Sequence, residues 1–171
     1  MSAQDSWSHQ IRAAVDTDAP MIAEIYNDVI VNTTAVYRET PVTPEERGAW
    51  VRGRVEQGYP VLVAVDGSGV IGFASFGDFR AWPCYLHTVE HSVHVRADRR
   101  GRGVGKQLLQ ALFPLAARLG KHVMVAGVDA ANDASLRMHE QLGFERVAHF
   151  REVGRKFGRW LDLVFLQRYL D

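Results

Sequence analysis

The sequence of 171 residues predicts one α/β domain of the α+β kind, with a mixed, mostly antiparallel central sheet flanked by about four helices. Two observations carry this prediction. The turn Asp66-Gly67-Ser68-Gly69 separates two apolar runs, as in an antiparallel hairpin. An apolar strand that ends at Val95 leads through a glycine-rich turn into an amphipathic helix and then another strand, as in a βαβ crossover. A sheet that contains both connections is mixed.

Capping residues and apolar periodicity define the elements of the N-terminal half. The residues Asp16-Thr17-Asp18 are suited to cap one helix, and Thr43, followed by Pro44, is suited to cap the next. The predicted elements, in order, are a strand around Gln10–Val15, a helix near Ala19–Val31, a helix from Thr43 to about Gly58, and strands Pro60–Val65 and Val70–Phe76.

The C-terminal half alternates strands and helices before it ends in a hairpin. Pro114 falls inside a predicted helix, where it removes a backbone hydrogen bond. The predicted elements are an irregular segment Asp78–Leu86, a strand His87–Val95, a helix Gly103–Leu119, a strand Val123–Val128, a helix Asn132–Leu142, and strands Phe144–Val153 and Trp160–Tyr169 joined by a turn at Gly154–Gly158.

Composition restricts the classes of partner. Twenty basic and twenty acidic residues cancel, so neither nucleic acid nor a membrane surface is expected as a partner. The single cysteine, Cys84, cannot form an internal disulfide, and residues 1–10 have no signal-peptide core, so we expect a cytoplasmic protein. Residues 1–9 are expected to form a tail and residues 10–171 the single domain.

The segment from Arg96 to Lys106 indicates a phosphate-binding loop. Gly101, Gly103 and Gly105 leave backbone N–H groups accessible at the start of a helix, where an anion is favoured. Cationic side chains surround them: Arg96, Arg99, Arg100, Arg102 and Lys106. A Walker A loop fits weakly, because Arg100 and Gln107 stand at its required glycine and hydroxyl positions, and a dinucleotide fingerprint fits weakly, because Lys106 stands at its third glycine.

The spacing Arg100-x-x-Gly103-x-Gly105 resembles the pyrophosphate signature of the GCN5-related N-acetyltransferase (GNAT) superfamily. The resemblance implies the acetyltransferase fold, with acetyl-CoA as co-substrate, its pantetheine arm along the preceding strand and its pyrophosphate at the loop. The cofactor-binding residues implied are Val93, His94, Val95, Arg100, Gly101, Arg102, Gly103, Val104, Gly105 and Lys106.

Glu90 is the candidate general base. N-acetyl transfer needs a neutral amine, and an alkylammonium ion is charged at neutral pH, so a base is the first requirement. Glu90 interrupts an otherwise apolar or neutral strand and shares a face with Thr88 and Ser92. In a partly desolvated cleft, the pKa of this carboxyl would rise toward a useful range. A glutamate facing water from an edge strand is the alternative that periodicity leaves open.

Three segments resemble the phosphinothricin and methionine sulfoximine N-acetyltransferases: Thr88-Val89-Glu90, Leu136–Phe144 and Lys156–Asp162. The likeness covers about Ile11 to Leu170 and implies Glu90 as the base, acting directly or through water. It places Asn132 and Ser135 near the cofactor, and it implies a homodimer. His139 is a second catalytic candidate, although a lone histidine on a helix is more often structural.

The acceptor side is expected in two loops and on the catalytic strand. Resemblance places Thr34 and Tyr37 in one loop, and Arg80, Ala81 and Trp82 in the other. Arg80 is suited to pair with an amino acid α-carboxylate, while Tyr37 and Trp82 would form walls of the pocket. A surface arginine in a mobile loop is the alternative for Arg80. Ser92 and His91 complete the predicted acceptor residues, although His91 alternates to the opposite strand face unless a β-bulge intervenes.

The expected acceptor is a small amino acid analogue such as methionine sulfoximine, methionine sulfone or phosphinothricin. Two alternatives stay open: another primary amine (a polyamine, an aminoglycoside or a protein N-terminus), and a non-catalytic CoA-binding module. No metal site is predicted, because the seven histidines are scattered without ligand spacing.

Overall fold

The computed structural model describes residues 8–170. Within them lie four helices: α1 (Ala19–Asn32), α2 (Pro44–Glu56), α3 (Val104–Arg118) and α4 (Asp133–Gln141). Seven strands form one sheet: β1 (Gln10–Ala13), β2 (Val61–Asp66), β3 (Gly69–Asp78), β4 (Thr88–Val95), β5 (Val123–Asp129), β6 (Glu145–Lys156) and β7 (Arg159–Tyr169). No helix in this part of the chain is long and apolar enough to cross a membrane.

The sheet has the order β1-β2-β3-β4-β5-β7-β6. Neighbouring strands are antiparallel except β4 and β5, which are parallel because α3 crosses over between them. The predicted class, a mixed and mostly antiparallel sheet with four helices, is therefore confirmed.

The parallel pair separates part-way along its length. β4 pairs with β5 from Thr88 to Glu90, opposite Val123 to Val125. Beyond this point β4 continues to pair with β3 as far as Val95, and β5 with β7 as far as Asp129. Beyond this point the facing backbone groups of β4 and β5 form no hydrogen bonds with each other. The sheet therefore contains a gap that a ligand can enter.

Helices cover both faces of the sheet. α3 and α4 pack over one face, where Leu108, Leu109 and Leu112 are fully buried. α1 and α2 cover the other, in a smaller cluster that includes Ile22 and Phe73. Both layers remove apolar surface from water, which is the main source of stability in a domain of this size.

The predicted cap of α2 is present as a reciprocal capping box. The Glu46 N–H donates to Thr43 Oγ1 at 3.1 Å, and the Thr43 N–H donates to Glu46 Oε2 at 2.7 Å. The helix also has Pro44 at its first position, as expected. The cap therefore defines the residue at which α2 begins.

The expected turn between the last two strands needs correction. The predicted turn at Gly154–Gly158 is shorter, because β6 continues to Lys156 and the chain reverses at Phe157 and Gly158, both with positive φ. Gly154 is a strand residue whose missing Cβ makes room for the ring of Tyr37. α3 runs through Pro114 to Arg118, close to the predicted end at Leu119. The expected tail lies outside the described residues except for residues 8 and 9.

Candidate active site

Two cavities meet at the gap between β4 and β5. The first, about 880 Å³, extends over the glycine-rich loop and the N-terminus of α3. The second, about 400 Å³, lies on the side covered by α1 and α2 and includes Glu90. Both are bordered by the same five residues: Ala35, Val93, His94, Asn132 and Ser135. The gap therefore connects a large cleft to a smaller pocket, as a two-substrate transfer requires.

Glycine is required at the start of the larger cleft. Gly103, the N-cap of α3, has φ of 81° and Gly101 has φ of 73°, values that side-chain-bearing residues rarely adopt. The loop consequently turns sharply into α3 and leaves the N–H groups of the first helical turn without intrahelical acceptors. Those N–H groups and the positive end of the helix dipole suit the two phosphates of a CoA molecule.

All predicted cofactor residues except Arg102 border this cleft. Arg102 is exposed on the outer side of the turn. The residues found there are Val93, His94, Val95, Arg100, Gly101, Gly103, Val104, Gly105, Lys106, Asn132 and Ser135. The Asn132 side chain also caps α4, because its Oδ1 accepts from the Ser135 N–H at 3.1 Å.

The cations of the loop are less available than the sequence suggests. Arg99 pairs with Asp66 at 2.9 Å, and Arg96 pairs with Asp98 at 2.6 Å. Arg100 pairs with Asp28 of α1 at 3.0 Å and donates to the Val95 carbonyl at 3.0 Å. These contacts hold the loop against α1 and β4. Part of the positive charge of the loop is therefore balanced within the protein, while Lys106 borders the cleft beside the backbone N–H groups.

Glu90 lies at the closed end of the gap, where β4 and β5 still pair. A Cβ atom at position 127 would lie 3.1 Å from Glu90 Oε1, so the carboxylate rests against β5 where Gly127 has no side chain. Burial raises the pKa of Glu90, and the charge of Arg80 opposes this rise. A half-buried carboxyl with a raised pKa is a stronger proton acceptor than a fully solvated one.

Behind this carboxylate, His91 and His139 form a buried pair. Their rings stack with centroids 5.0 Å apart, and their Nε2 atoms are 3.0 Å apart. The Nδ1 of His139 lies 2.7 Å from the Ser135 carbonyl, which can only accept, so this nitrogen carries the proton. Because burial lowers the pKa of both rings, both are neutral, and His91 Nε2–H donates to His139 Nε2. His91 Nδ1 is left as a bare acceptor, buried without a partner.

The smaller pocket concentrates unsatisfied polar atoms. Six side-chain nitrogen or oxygen atoms in the described residues are buried without a hydrogen-bond partner. Four of these belong to residues that line this pocket: Arg47 Nε, Arg54 Nε, His91 Nδ1 and Asp129 Oδ2. Buried polar groups normally have a hydrogen-bond partner, so such a cluster indicates a binding site for a polar ligand.

The predicted acceptor residues divide into two groups. Glu90, His91 and Ser92 line the smaller pocket. His91 does so without a β-bulge, because the β3–β4 register is continuous and the open gap exposes its strand edge.

The other predicted acceptor residues line a different cavity or none. Thr34 borders the larger cleft. Tyr37 donates from its hydroxyl to the Asp162 carbonyl at 2.8 Å and thus ties its loop to β7. Arg80, Ala81 and Trp82 are exposed, Trp82 to 72%, and border neither cavity. The charge of Arg80 nevertheless acts on Glu90, so the expected role of this loop at the acceptor stays a prediction.

Sequence reasoning missed the contribution of α2 to the smaller pocket. Arg47, Trp50 and Arg54 all line it, and Asp129 closes it from the end of β5. A signal was present, since Arg47, Val51 and Arg54 recur at helical spacing and Val51 is buried. Arginine side chains are rarely buried, so two arginines on the inward-facing side of a helix indicate a binding site.

Within residues 8–170 no cluster of three or more histidine, cysteine or acidic side chains is arranged to hold a metal ion. The described site thus consists of carboxylates, guanidinium groups, imidazoles and backbone N–H groups.

Known proteins share this architecture. The sequence profile of the Acetyltransferase (GNAT) family matches residues 22–144. The chain belongs to the GNAT acetyltransferase family. It is 53% identical over 165 residues to the L-methionine sulfoximine/L-methionine sulfone acetyltransferase of Pseudomonas paraeruginosa, with 96% of each chain covered. It is 37% identical to the phosphinothricin N-acetyltransferase of Streptomyces coelicolor, over 94% of this chain and 96% of that one.

A solved GNAT structure matches the fold closely. The acetyltransferase of Salmonella typhimurium, solved with its cofactor acetyl-CoA, superposes with a TM-score of 0.93 at 47% identity, covering 95% of this chain and 94% of that chain. The predicted resemblance and the predicted enzyme class, an N-acetyltransferase, are confirmed by these matches. The cleft over the loop fits the acetyl-CoA on which this family acts, because the N-terminus of α3 and the open edge of β4 both border it.

Proposed function

We propose that this enzyme transfers the acetyl group of acetyl-CoA to the α-amino group of a small amino acid analogue, such as methionine sulfoximine, methionine sulfone or phosphinothricin. One observation carries the proposal: Glu90 lies where β4 and β5 separate, in a pocket that is lined by both carboxylates and guanidinium groups and adjoins a cleft that suits CoA. The names of the relatives support the same acceptor class.

The free edge of β4 orients the thioester in this proposal. The α3 N-terminus binds the diphosphate, and the pantetheine arm pairs with the strand edge that β5 has left. Backbone N–H groups near Val93 to Val95 then polarise the thioester carbonyl. A thioester supplies an activated acetyl group, so the protein needs only to position the two substrates and to manage protons.

Glu90 acts as the general base, directly or through a water molecule. It accepts a proton from the acceptor ammonium, and the neutral amine attacks the thioester carbon. The C–N bond forms, the C–S bond breaks, and the CoA thiolate leaves and takes up a proton. His139 has both ring nitrogens engaged and is 2% exposed, so we assign it the positioning of His91 rather than proton transfer.

The transfer is direct, with no acetyl-enzyme intermediate. The single cysteine, Cys84, is exposed in the loop after β3 and borders neither cavity. The proposal therefore needs both substrates bound at once, and initial-rate kinetics should give intersecting rather than parallel lines.

The charges of the pocket favour a zwitterionic acceptor. Glu90 and Asp129 lie on the strands, and Arg47 and Arg54 lie on α2. A polyamine or an aminoglycoside carries several positive charges and would meet the guanidinium groups, which is unfavourable. A small amino acid with a polar side chain carries an ammonium group for the carboxylates and oxygen atoms for the guanidinium groups.

Replacing Glu90 by Gln tests the base. General-base catalysis typically contributes about 10² to 10⁴-fold, so kcat should fall by that range for methionine sulfone at neutral pH. The Kd for acetyl-CoA should stay within about twofold, since the amide keeps the shape of the carboxyl. Glu24→Gln, an exposed change on α1, is the control. Unchanged kcat in Glu90→Gln would remove Glu90 from the role.

A homodimer and a cytoplasmic location belong to the same proposal. The β6–β7 hairpin exposes the apolar side chains of Val147, Phe150, Val153 and Trp160, which is more than isolated surface residues account for. β6 is also an edge strand. Light scattering on the purified enzyme should give twice the mass of the chain. An exposed free Cys84 suits a reducing compartment.

A further inference from the structure

The end of the acceptor pocket that α2 closes is positively charged. Arg47 is 7% exposed, and its guanidinium carbon lies 4.0 Å from the centroid of the Trp50 ring and 4.2 Å from that of Tyr26. Among residues 8–170 no carboxylate lies within ion-pair distance of Arg47, and the charged groups that act on it are Arg38 and Arg54. Burial without an anion is costly, and the aromatic faces recover only part of that cost.

The guanidinium still has donors to offer. Burial lowers the pKa of Arg47 to about 10, which leaves it charged at neutral pH. Nε is enclosed and has no acceptor, and the Arg47 side chain lines the pocket. Arg54 differs, because Asp78 lies close enough to balance its charge. Arg47 is therefore the cation whose partner must come from a ligand.

Arg47 and Glu90 lie at opposite ends of the pocket. The Arg47 guanidinium is 5.5 Å from the Phe73 ring, and Phe73 pairs with His94 in the β3–β4 register. His94 follows Glu90 by four residues on β4, which corresponds to about 13 Å of strand at about 3.3 Å per residue. An acceptor that contacts both ends must be extended.

We propose that Arg47 binds the oxygen-bearing group at the end of the acceptor side chain, such as a sulfonyl, sulfoximine or phosphinyl group, and selects for acceptors that carry one. The inference rests on the proposed function, because it places the amine at Glu90. The α-carboxylate is separated from that amine by the Cα atom alone and is too near to reach the other end. A group at the end of the side chain can reach it.

The chemistry of the two partners is complementary. A guanidinium presents parallel N–H donors in a planar fork. A sulfone or a phosphinate presents two oxygens at matching separation, and a sulfoximine presents one oxygen and one imine nitrogen. A thioether has no strong acceptor, so its binding would leave the buried donors of Arg47 unsatisfied. A site built to donate hydrogen bonds rejects a substrate without acceptors more strongly than a purely apolar pocket could.

Three acceptors and one substitution test the assignment. The acceptors are methionine sulfone, methionine, which lacks the sulfonyl oxygens, and methionine sulfone amide, which lacks the α-carboxylate charge. In Arg47→Met, kcat/KM for methionine sulfone should fall by roughly 10²-fold, mainly through KM, as expected for removing one partner of a desolvated charged contact. The value for methionine should change by less than about threefold. The ratio of kcat/KM for methionine sulfone to kcat/KM for its amide should equal the ratio in the wild type.

Arg52→Met is the matched control, since Arg52 is an exposed arginine of the same helix and borders neither cavity. The Kd for acetyl-CoA shows whether each variant is folded. Should Arg47→Met fail to fold, Arg47→Lys retains the positive charge, loses the fork, and should lower the preference for the sulfone about tenfold.

Two results would overturn the assignment. Equal losses for methionine and methionine sulfone would make Arg47 structural. If the ratio of kcat/KM for methionine sulfone to kcat/KM for its amide falls strongly in Arg47→Met, Arg47 binds the α-carboxylate instead. A wild-type enzyme that acetylates none of the three would instead refute the proposed function, and this inference with it.

Discussion

Gly127→Ala should lower the catalytic rate without destabilising the fold. The added Cβ would lie 3.1 Å from Glu90 Oε1 and 3.3 Å from the Phe165 ring, against an ordinary contact distance of about 3.4 Å or more. Glu90 must then move by about 0.3 Å. A misplacement of about 1 Å costs about 10²-fold, so a proportional effect on the activation free energy predicts a loss in kcat of about fourfold.

Stability should change little in the same variant. Gly127 has no positive φ, so alanine can adopt its backbone conformation. In a strand, the replacement of glycine gains about 0.5–1 kcal/mol from the unfolded chain, which offsets the crowding. Thermal unfolding should therefore show a shift in Tm of less than about 3 °C.

Steady-state kinetics with saturating acetyl-CoA, together with the Kd for acetyl-CoA, measure this effect. Gly53→Ala in α2 is the control, because nothing lies within contact of its added methyl group and the activity should not change. Wild-type kcat in Gly127→Ala would refute the placement of Glu90 against β5. An equal loss of acetyl-CoA affinity would show that the gap, rather than the base, had been disturbed.

Two further predictions concern the loop and the pH dependence. Gly103→Ala and Gly120→Ala should each cost about 1–2 kcal/mol in stability, since both positions have positive φ, but only Gly103→Ala should weaken acetyl-CoA binding in calorimetry. The pKa of Glu90 is raised by burial, so kcat/KM should fall with decreasing pH through a pKa above the ordinary value of 4.5. The folded state binds the Glu90 proton more tightly than the unfolded chain does, so the charged carboxylate lowers the free energy of unfolding once the pH exceeds that pKa. Glu90→Gln removes this charge and should therefore raise Tm at pH 7. Near pH 4 the effect on Tm should be smaller, because the carboxyl is then protonated. An equal change in Tm at both pH values would contradict a raised pKa.

Local signals account for the parts of the site that were predicted. The glycine spacing specifies a turn with positive φ and exposed N–H groups whatever the rest of the chain does, so the cofactor cleft followed from residues 93–106. The position of Glu90 followed from its place on the strand just before that loop. Both are properties of contiguous segments.

The acceptor pocket was predicted less well because non-contiguous segments build it. Arg80 and Trp82 belong to a loop whose direction depends on packing, and they are exposed and border neither cavity. Arg47 comes from a helix whose position relative to β4 is set by the cluster around Phe73. No local sequence pattern specifies the distance between this helix and β4.

The sequence by itself determined the fold class, the donor loop and the candidate base, since each depends on the order and spacing of neighbouring residues. Only the tertiary structure decided where β4 and β5 separate, which cations of the loop are neutralised by Asp28, Asp66 and Asp98, and that α2 rather than the loop after β3 closes the acceptor pocket. These features depend on how buried surfaces pack together, because the free energy of a buried charge is determined by everything that surrounds it.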